Sequence, residues 1–170
     1  MLIRPPRTAP RQRQTGVTLM EALIAVVLLS MCALAYASLQ LRGLSSNASA
    51  MWRSKAVMLA YEMSDRLRTN AAGLALGSYN NLVGTPAAVN DCGSASACAP
   101  ARMAQFDHFQ WNVAVGRDLP SGLGSVCLDS TPDDGTLADA ACDGLGTTFA
   151  VKVFWQERDV ESRLVVAVRP

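Results

Sequence analysis

The stretch from Val17 to Leu39 most constrains this chain. Of its 23 residues, only Thr18, Glu21, Ser30 and Ser38 break the apolar character. As an α-helix rising about 1.5 Å per residue, it is long enough to cross a bilayer core of roughly 30 Å. Glu21 lies at its fifth position. A carboxylate that deep in an apolar helix costs on the order of 2.5–3.5 kcal/mol by insertion scales, so it needs a partner. Cutting the chain after Gly16 would create one: the new ammonium of Val17, or the same group on a neighbouring copy.

The residues ahead of the apolar stretch are basic. Arg4, Arg7, Arg11 and Arg13 precede it, and no acid occurs before Glu21. The positive-inside rule keeps this leader cytoplasmic and exports everything after the helix. Pro5, Pro6 and Pro10 among the arginines predict an unstructured, removable segment over residues 1–16. Ala35-Tyr36-Ala37 has the small-residue look of an ordinary signal-peptidase site. The apolar run is too long for that reading, which also leaves Glu21 unexplained.

The junction resembles the class III signal of type IV prepilins: a basic leader ending in Gly16, and Glu21 as the fifth residue after the cut. Val17 stands where that family usually has phenylalanine. The resemblance implies that a membrane prepilin peptidase cleaves between Gly16 and Val17 and methylates the Val17 amine. It also implies that Glu21 pairs with the Val17 amine during assembly. Glycine suits the cut because a missing side chain lets the peptidase approach the backbone.

Charge and cysteines agree with export. The formal charge is +1, from 15 basic and 14 acidic side chains. Losing the four leader arginines leaves 11 basic residues and a charge of −3, so nothing points to nucleic-acid binding. Cys32 falls in the apolar helix and reads as a small buried hydrophobe. Cys92, Cys98, Cys127 and Cys142 remain for an oxidising compartment, where three pairings are possible. Cys92–Cys98 with Cys127–Cys142 is favoured because both close short loops. A zinc site lacks the spacing, and His108 is the single histidine.

Beyond Leu39, apolar residues recur every three or four positions at Leu44, Ala48, Trp52, Ala56, Leu59, Met63 and Leu67, one face of an amphipathic helix. One helix is expected from about Val17 to Asn70. The domain plan is then a leader (1–16), a transmembrane half-helix (17–39), an amphipathic half-helix (40–70) and an exported globular domain (71–170). Residues 71–100 read as a loop rich in Gly, Ala, Asn and Ser. Pro100 can start a helix that Pro120 and Gly122 would end. Met103, Phe106, Phe109 and Val113 would form its apolar face, although Trp111, Val113 and Val115 also alternate like a strand. A helix is expected over at least 101–113. Val126–Leu128 is a short strand candidate. Phe149, Val151, Val153 and Trp155, then Leu164, Val166 and Val168, predict an antiparallel hairpin turning at Glu157-Arg158-Asp159. The fold class is α+β: a long N-terminal helix packed on a small antiparallel sheet.

Two stretches narrow the resemblance. Ala56, Leu59, Ala60, Met63, Asp65, Arg66, Arg68 and Asn70 form one. Cys92, Cys98, an aromatic helix and then Leu119, Pro120, Gly122, Gly124, Val126 and Cys127 form the other. Both are similar to the minor pilins of the type IV pilus modification protein PilV family. That likeness implies the pilin fold and packing of the globular domain against the helix near Arg66. It further implies a role in pilus initiation and assembly, serving motility, adhesion or DNA uptake. The implied partners are prepilin peptidase, other minor pilins, the major pilin and the inner-membrane assembly machinery. A minor pseudopilin of type II secretion shares most of these features. A signal-anchored envelope enzyme is the alternative from another class.

Catalysis finds little support. No G-x-S-x-G or H-E-x-x-H occurs, and His108 has no evident partner. No cofactor or metal is expected. The acidic run Asp129, Asp133, Asp134, Asp139 and Asp143 has oxygen ligands for calcium. Counted from Asp129, however, the sixth and twelfth EF-hand positions fall on Asp134 and Ala140, so a solvated loop is expected.

Overall fold

The computed structural model describes residues 16–89, 92 and 98–169; the leader arginines lie outside them. The elements are α1 (Leu19–Thr69), α2 (Ala71–Ala75), α3 (Pro100–Asp118), β1 (Leu123–Leu128), β2 (Phe149–Glu157) and β3 (Val160–Val168). Two compact units meet in the sequence between Ser45 and Ser46.

In the first unit, the start of α1 is long and apolar enough to cross a membrane. Leu23, Ile24, Val27, Leu28, Leu34 and Leu39 are all exposed on it. Cys32 is exposed on the same segment and carries a free thiol.

The second unit contains the rest of α1 and everything after it. Ala56, Leu59, Ala60, Met63 and Leu67 turn one stripe of α1 into a core with Trp111 and Val115 of α3 and the apolar face of the sheet. Ala48 and Trp52 are only half-buried at the edge of that stripe. Leu44, expected on the same face, is exposed and belongs to the first unit.

α3 runs five residues past the minimum expected, through Asp118. Its buried side is Ala104, Asp107, His108, Trp111, Asn112 and Val115. Val113 faces solvent and Phe106 and Phe109 are only half-buried, so the face is rotated from the one expected. Three polar residues occupy that face because each has a bonding partner, and hydrophobicity alone does not mark such positions.

The sheet has the order β1-β2-β3, antiparallel throughout. β1 is longer than expected and starts at Leu123. The β2–β3 hairpin closes through Arg158 and Asp159, with Arg158 at φ 59°, the left-handed backbone that a two-residue turn requires. The outer edge of β1 is not open for pairing. Val126 exchanges both backbone bonds with Leu82, Leu128 is bonded by Asn80 and Gly144, and Gly124 by Asn112. Covering an edge in this way prevents it from templating another strand.

Candidate functional site

Gly16 and Val17 precede the first turn of α1, and Val17 is exposed. The Glu21 amide donates to Thr18 Oγ1 at 3.4 Å, and the Ala22 amide donates to the Thr18 carbonyl. Thr18 thus caps the helix, with Glu21 three residues on in the Ser/Thr-x-x-Glu spacing of a capping box. Glu21 is exposed in the first turn, where its charge complements the helix dipole. The spacing was visible in the sequence and gives Glu21 a local role before any partner arrives.

In the second unit, polar side chains lock the end of α1 to α3. Arg66 Nη1 reaches Asp107 Oδ1 at 3.1 Å and Nη2 reaches Glu62 at 2.8 Å. Burial works against the Arg66 charge, but hydrogen bonds to Glu62 and Asp107 outweigh it and raise its pKa. Tyr79 is fully buried and donates to Asp107 Oδ2 at 2.6 Å. Burial, then that bond, pushes the phenol well above its ordinary value. Asn70 caps α2 by accepting from the Gly73 amide, and donates to Tyr79 and to the Pro100 carbonyl. Trp111 Nε1 donates to the Leu59 carbonyl at 2.8 Å. Of the charged residues in the stretch from Ala56 to Asn70 that resembles minor pilins, Arg66 makes this junction, while Asp65 and Arg68 form an exposed pair with each other. Such a pair contributes little.

His108 is buried, with Nε2 3.2 Å from the Gly124 carbonyl. Burial lowers its pKa. With Asn112, which donates to the same carbonyl, it ties α3 to β1. This is a structural histidine.

The acidic segment keeps Asp133, Asp139 and Asp143 exposed, as expected of a solvated loop, but Asp129 is buried. It folds over the second face of the sheet and clamps Lys152. Alternation along β2 puts Lys152 opposite the core-facing Val151 and Val153, yet its side chain is 0% exposed. Its ammonium lies 2.6 Å from Asp129 Oδ2 and 2.7 Å from Asp134 Oδ1, and donates to the Ala140 carbonyl at 2.8 Å. Hydrogen bonds from Lys152 and then Thr131 hold the Asp134 carboxyl below its usual range. Bonds from Ser130 and the Leu145 amide do the same for Asp143. Arg163 of β3 reaches the carbonyls of Asp133 and Gly135.

The loop's internal cation is therefore an ammonium. Asp129 and Asp134, two of the five aspartates weighed as calcium ligands, are spent on it. Cys127 is joined to Cys142, and Cys92 to Cys98. Cys127, Asp129 and Cys142 lie close enough to suggest a metal site, but the disulfide leaves no thiolate to bind one.

Residues 38–109 match the family described as Tt1218-like, type IV pilin Tt1218. Residues 11–37 match the prokaryotic N-terminal methylation motif. No curated protein and no solved structure matches the chain.

Proposed function

We propose that this chain, a type IV pilin by its two family matches and its fold, is a minor pilin that helps initiate and assemble the pilus. The observation that carries the reading is the junction at Gly16. There a basic leader meets an exposed apolar helix whose first turn bears Glu21, within a match to the methylation motif. Prepilin peptidase removes residues 1–16 and methylates Val17. The apolar half-helix holds the subunit in the inner membrane as a single pass, with the globular unit in the periplasm. Two disulfides support that oxidising location. Assembly then transfers the helix into the fibre, among the major pilin and other minor pilins. The likeness of the Arg66 region and the second cysteine segment to PilV proteins supports a minor subunit. The pilin family is structural, and the role assigned here needs no chemistry from the chain itself.

In the fibre, Glu21 neutralises a Val17 amine. Removing one member of a buried pair costs about 3–5 kcal/mol, enough to exclude a subunit from a reversible assembly. Glu21→Ala protein is expected in membranes, cut after Gly16, but depleted from sheared pili. Gly16→Val is expected to remain uncut. Immunoblots of both fractions and N-terminal mass analysis decide the matter. Glu21→Ala subunits entering pili at the wild-type level would refute the pairing.

A further inference from the structure

The two edges of the sheet differ. Groups from Asn80, Leu82, Asn112 and Gly144 cover β1, but β3 pairs only with β2. Among the described residues, no backbone group from outside β2 bonds to it. β3 has nine residues, longer than the usual strand of about five or six. Its register runs unbroken from Val168 opposite Phe149 to Val160 opposite Glu157, so no bulge twists the edge away. It contains no proline or lysine, the residues that commonly blunt an edge. The direction of its outer groups follows from the ladder. Gln156 donates its amide away from β3, to the Pro120 carbonyl. Its cross-strand partner Glu161 therefore turns its own amide and carbonyl outward, and by alternation so do Arg163, Val165 and Ala167.

A strand added here needs apolar side chains, because β3 is apolar towards both faces. Leu164 and Val166 are half-buried against the core, Val165 is half-buried on the other face, and Val160 is 65% exposed. β3 is itself such a strand, and its sequence complements its own antiparallel copy. A two-fold axis through Leu164 sets Val160 opposite Val168, Glu161 opposite Ala167, Ser162 opposite Val166 and Arg163 opposite Val165. The whole strand then pairs, and every outward amide and carbonyl meets a partner. The exposed Arg169 of the second copy comes to lie diagonally beside Glu161. An axis through Arg163 would instead set guanidinium against guanidinium. One through Ser162 would leave Val165 to Val168 beyond the end of the facing strand. We propose that β3 pairs antiparallel with β3 of a second copy, joining two globular units through one continuous sheet. The contact lies wholly in the globular unit and goes beyond the fibre role proposed above.

The test uses the full mature chain in detergent, with Cys32→Ser as background. Leu164→Cys sets two thiols across the axis at a non-hydrogen-bonded pair, where Cα atoms lie about 4.5 Å apart, within disulfide reach. Mild oxidation is expected to give a covalent dimer on non-reducing gels. Association through the apolar helix alone would not bring these thiols together. Ser162→Cys is the register control and is expected to give no dimer, because it faces Val166 of the second copy. Ala167→Pro removes an outward amide and leaves the β2 ladder intact, a position where an edge strand tolerates proline. Added to Leu164→Cys, it should lower cross-linking about tenfold, the effect of lost backbone bonds, with an unchanged melting temperature. Three results would overturn the proposal: Leu164→Cys does not cross-link, Ser162→Cys cross-links as well as Leu164→Cys, or Ala167→Pro leaves cross-linking unchanged. Absence of the Leu164→Cys dimer together with depletion of Ala167→Pro subunits from pili would assign the edge to a strand of another pilin, and would equally overturn pairing with a second copy.

Discussion

Replacing Lys152 by methionine is expected to destabilise the globular unit by about 3–5 kcal/mol. Methionine keeps most of the stem volume and removes the ammonium. Asp129 is then left as an unneutralised carboxylate that is 2% exposed. Its Oδ1 still accepts from the Thr131 amide at 3.0 Å, but Oδ2 loses the contact at 2.6 Å. The Ala140 carbonyl loses its donor as well. For a chain of this size, 1 kcal/mol moves the melting temperature by about 2–4 °C, so a fall of about 6–20 °C is expected. The assay is thermal and guanidinium unfolding of the oxidised protein, followed by near-ultraviolet circular dichroism. The double variant Lys152→Met/Asp129→Asn isolates the cause, because it removes the stranded charge and keeps the Thr131 bond. It should recover about half of the loss or more, since apolar replacement of a buried pair is often neutral. A loss below about 1 kcal/mol in the single variant, or simple additivity in the double, would refute the clamp.

Two other outcomes follow from the same packing. Asp134 and Asp143 have lowered pKa values in the folded state, so the stability they add is present above the unfolded carboxylate range and is lost as pH falls through about 4 and below. Melting temperature should drop with acid, and Asp134→Asn should flatten that slope; an unchanged slope would count against the Lys152–Asp134 contact. A Cβ at Gly124 would overlap the Trp111 ring, which is pinned by its bond to Leu59. Gly124→Ala should therefore cost about 1–3 kcal/mol by overpacking and shift the tryptophan emission, whereas unchanged stability and emission would mean that the ring is not held there.

Much of the fold can be read along one dimension. The apolar run from Val17 to Leu39, the stripe from Ala56 to Leu67 and the alternation in β2 and β3 are local spacings, and spacing alone dictates which face an element buries. Two such faces need each other, so a long helix on a small antiparallel sheet follows. Gly16, Val17 and Glu21 were legible for the same reason, as adjacent residues whose charge and length carry the signal. The rotated face of α3 was not. Asp107, His108 and Asn112 look polar in sequence and are buried because Arg66, Tyr79 and Gly124, far along the chain, satisfy them.

Lys152 marks the boundary between the two kinds of information. Alternation in β2 assigns Val151 and Val153 to the core and leaves Lys152 to solvent. The buried ammonium depends on a loop that starts 23 residues earlier and returns across the sheet. Nothing in residue type or period encodes that return path, and the aspartates of the loop read equally well as a hydrated surface. The sequence by itself determined the long helix with its apolar run, the β2–β3 hairpin and the methylation-motif junction, which rest on local periodicity and charge; it did not mark the short α2. The tertiary structure decided which charges are buried, because an ion pair survives burial only where folding brings its partner within contact distance.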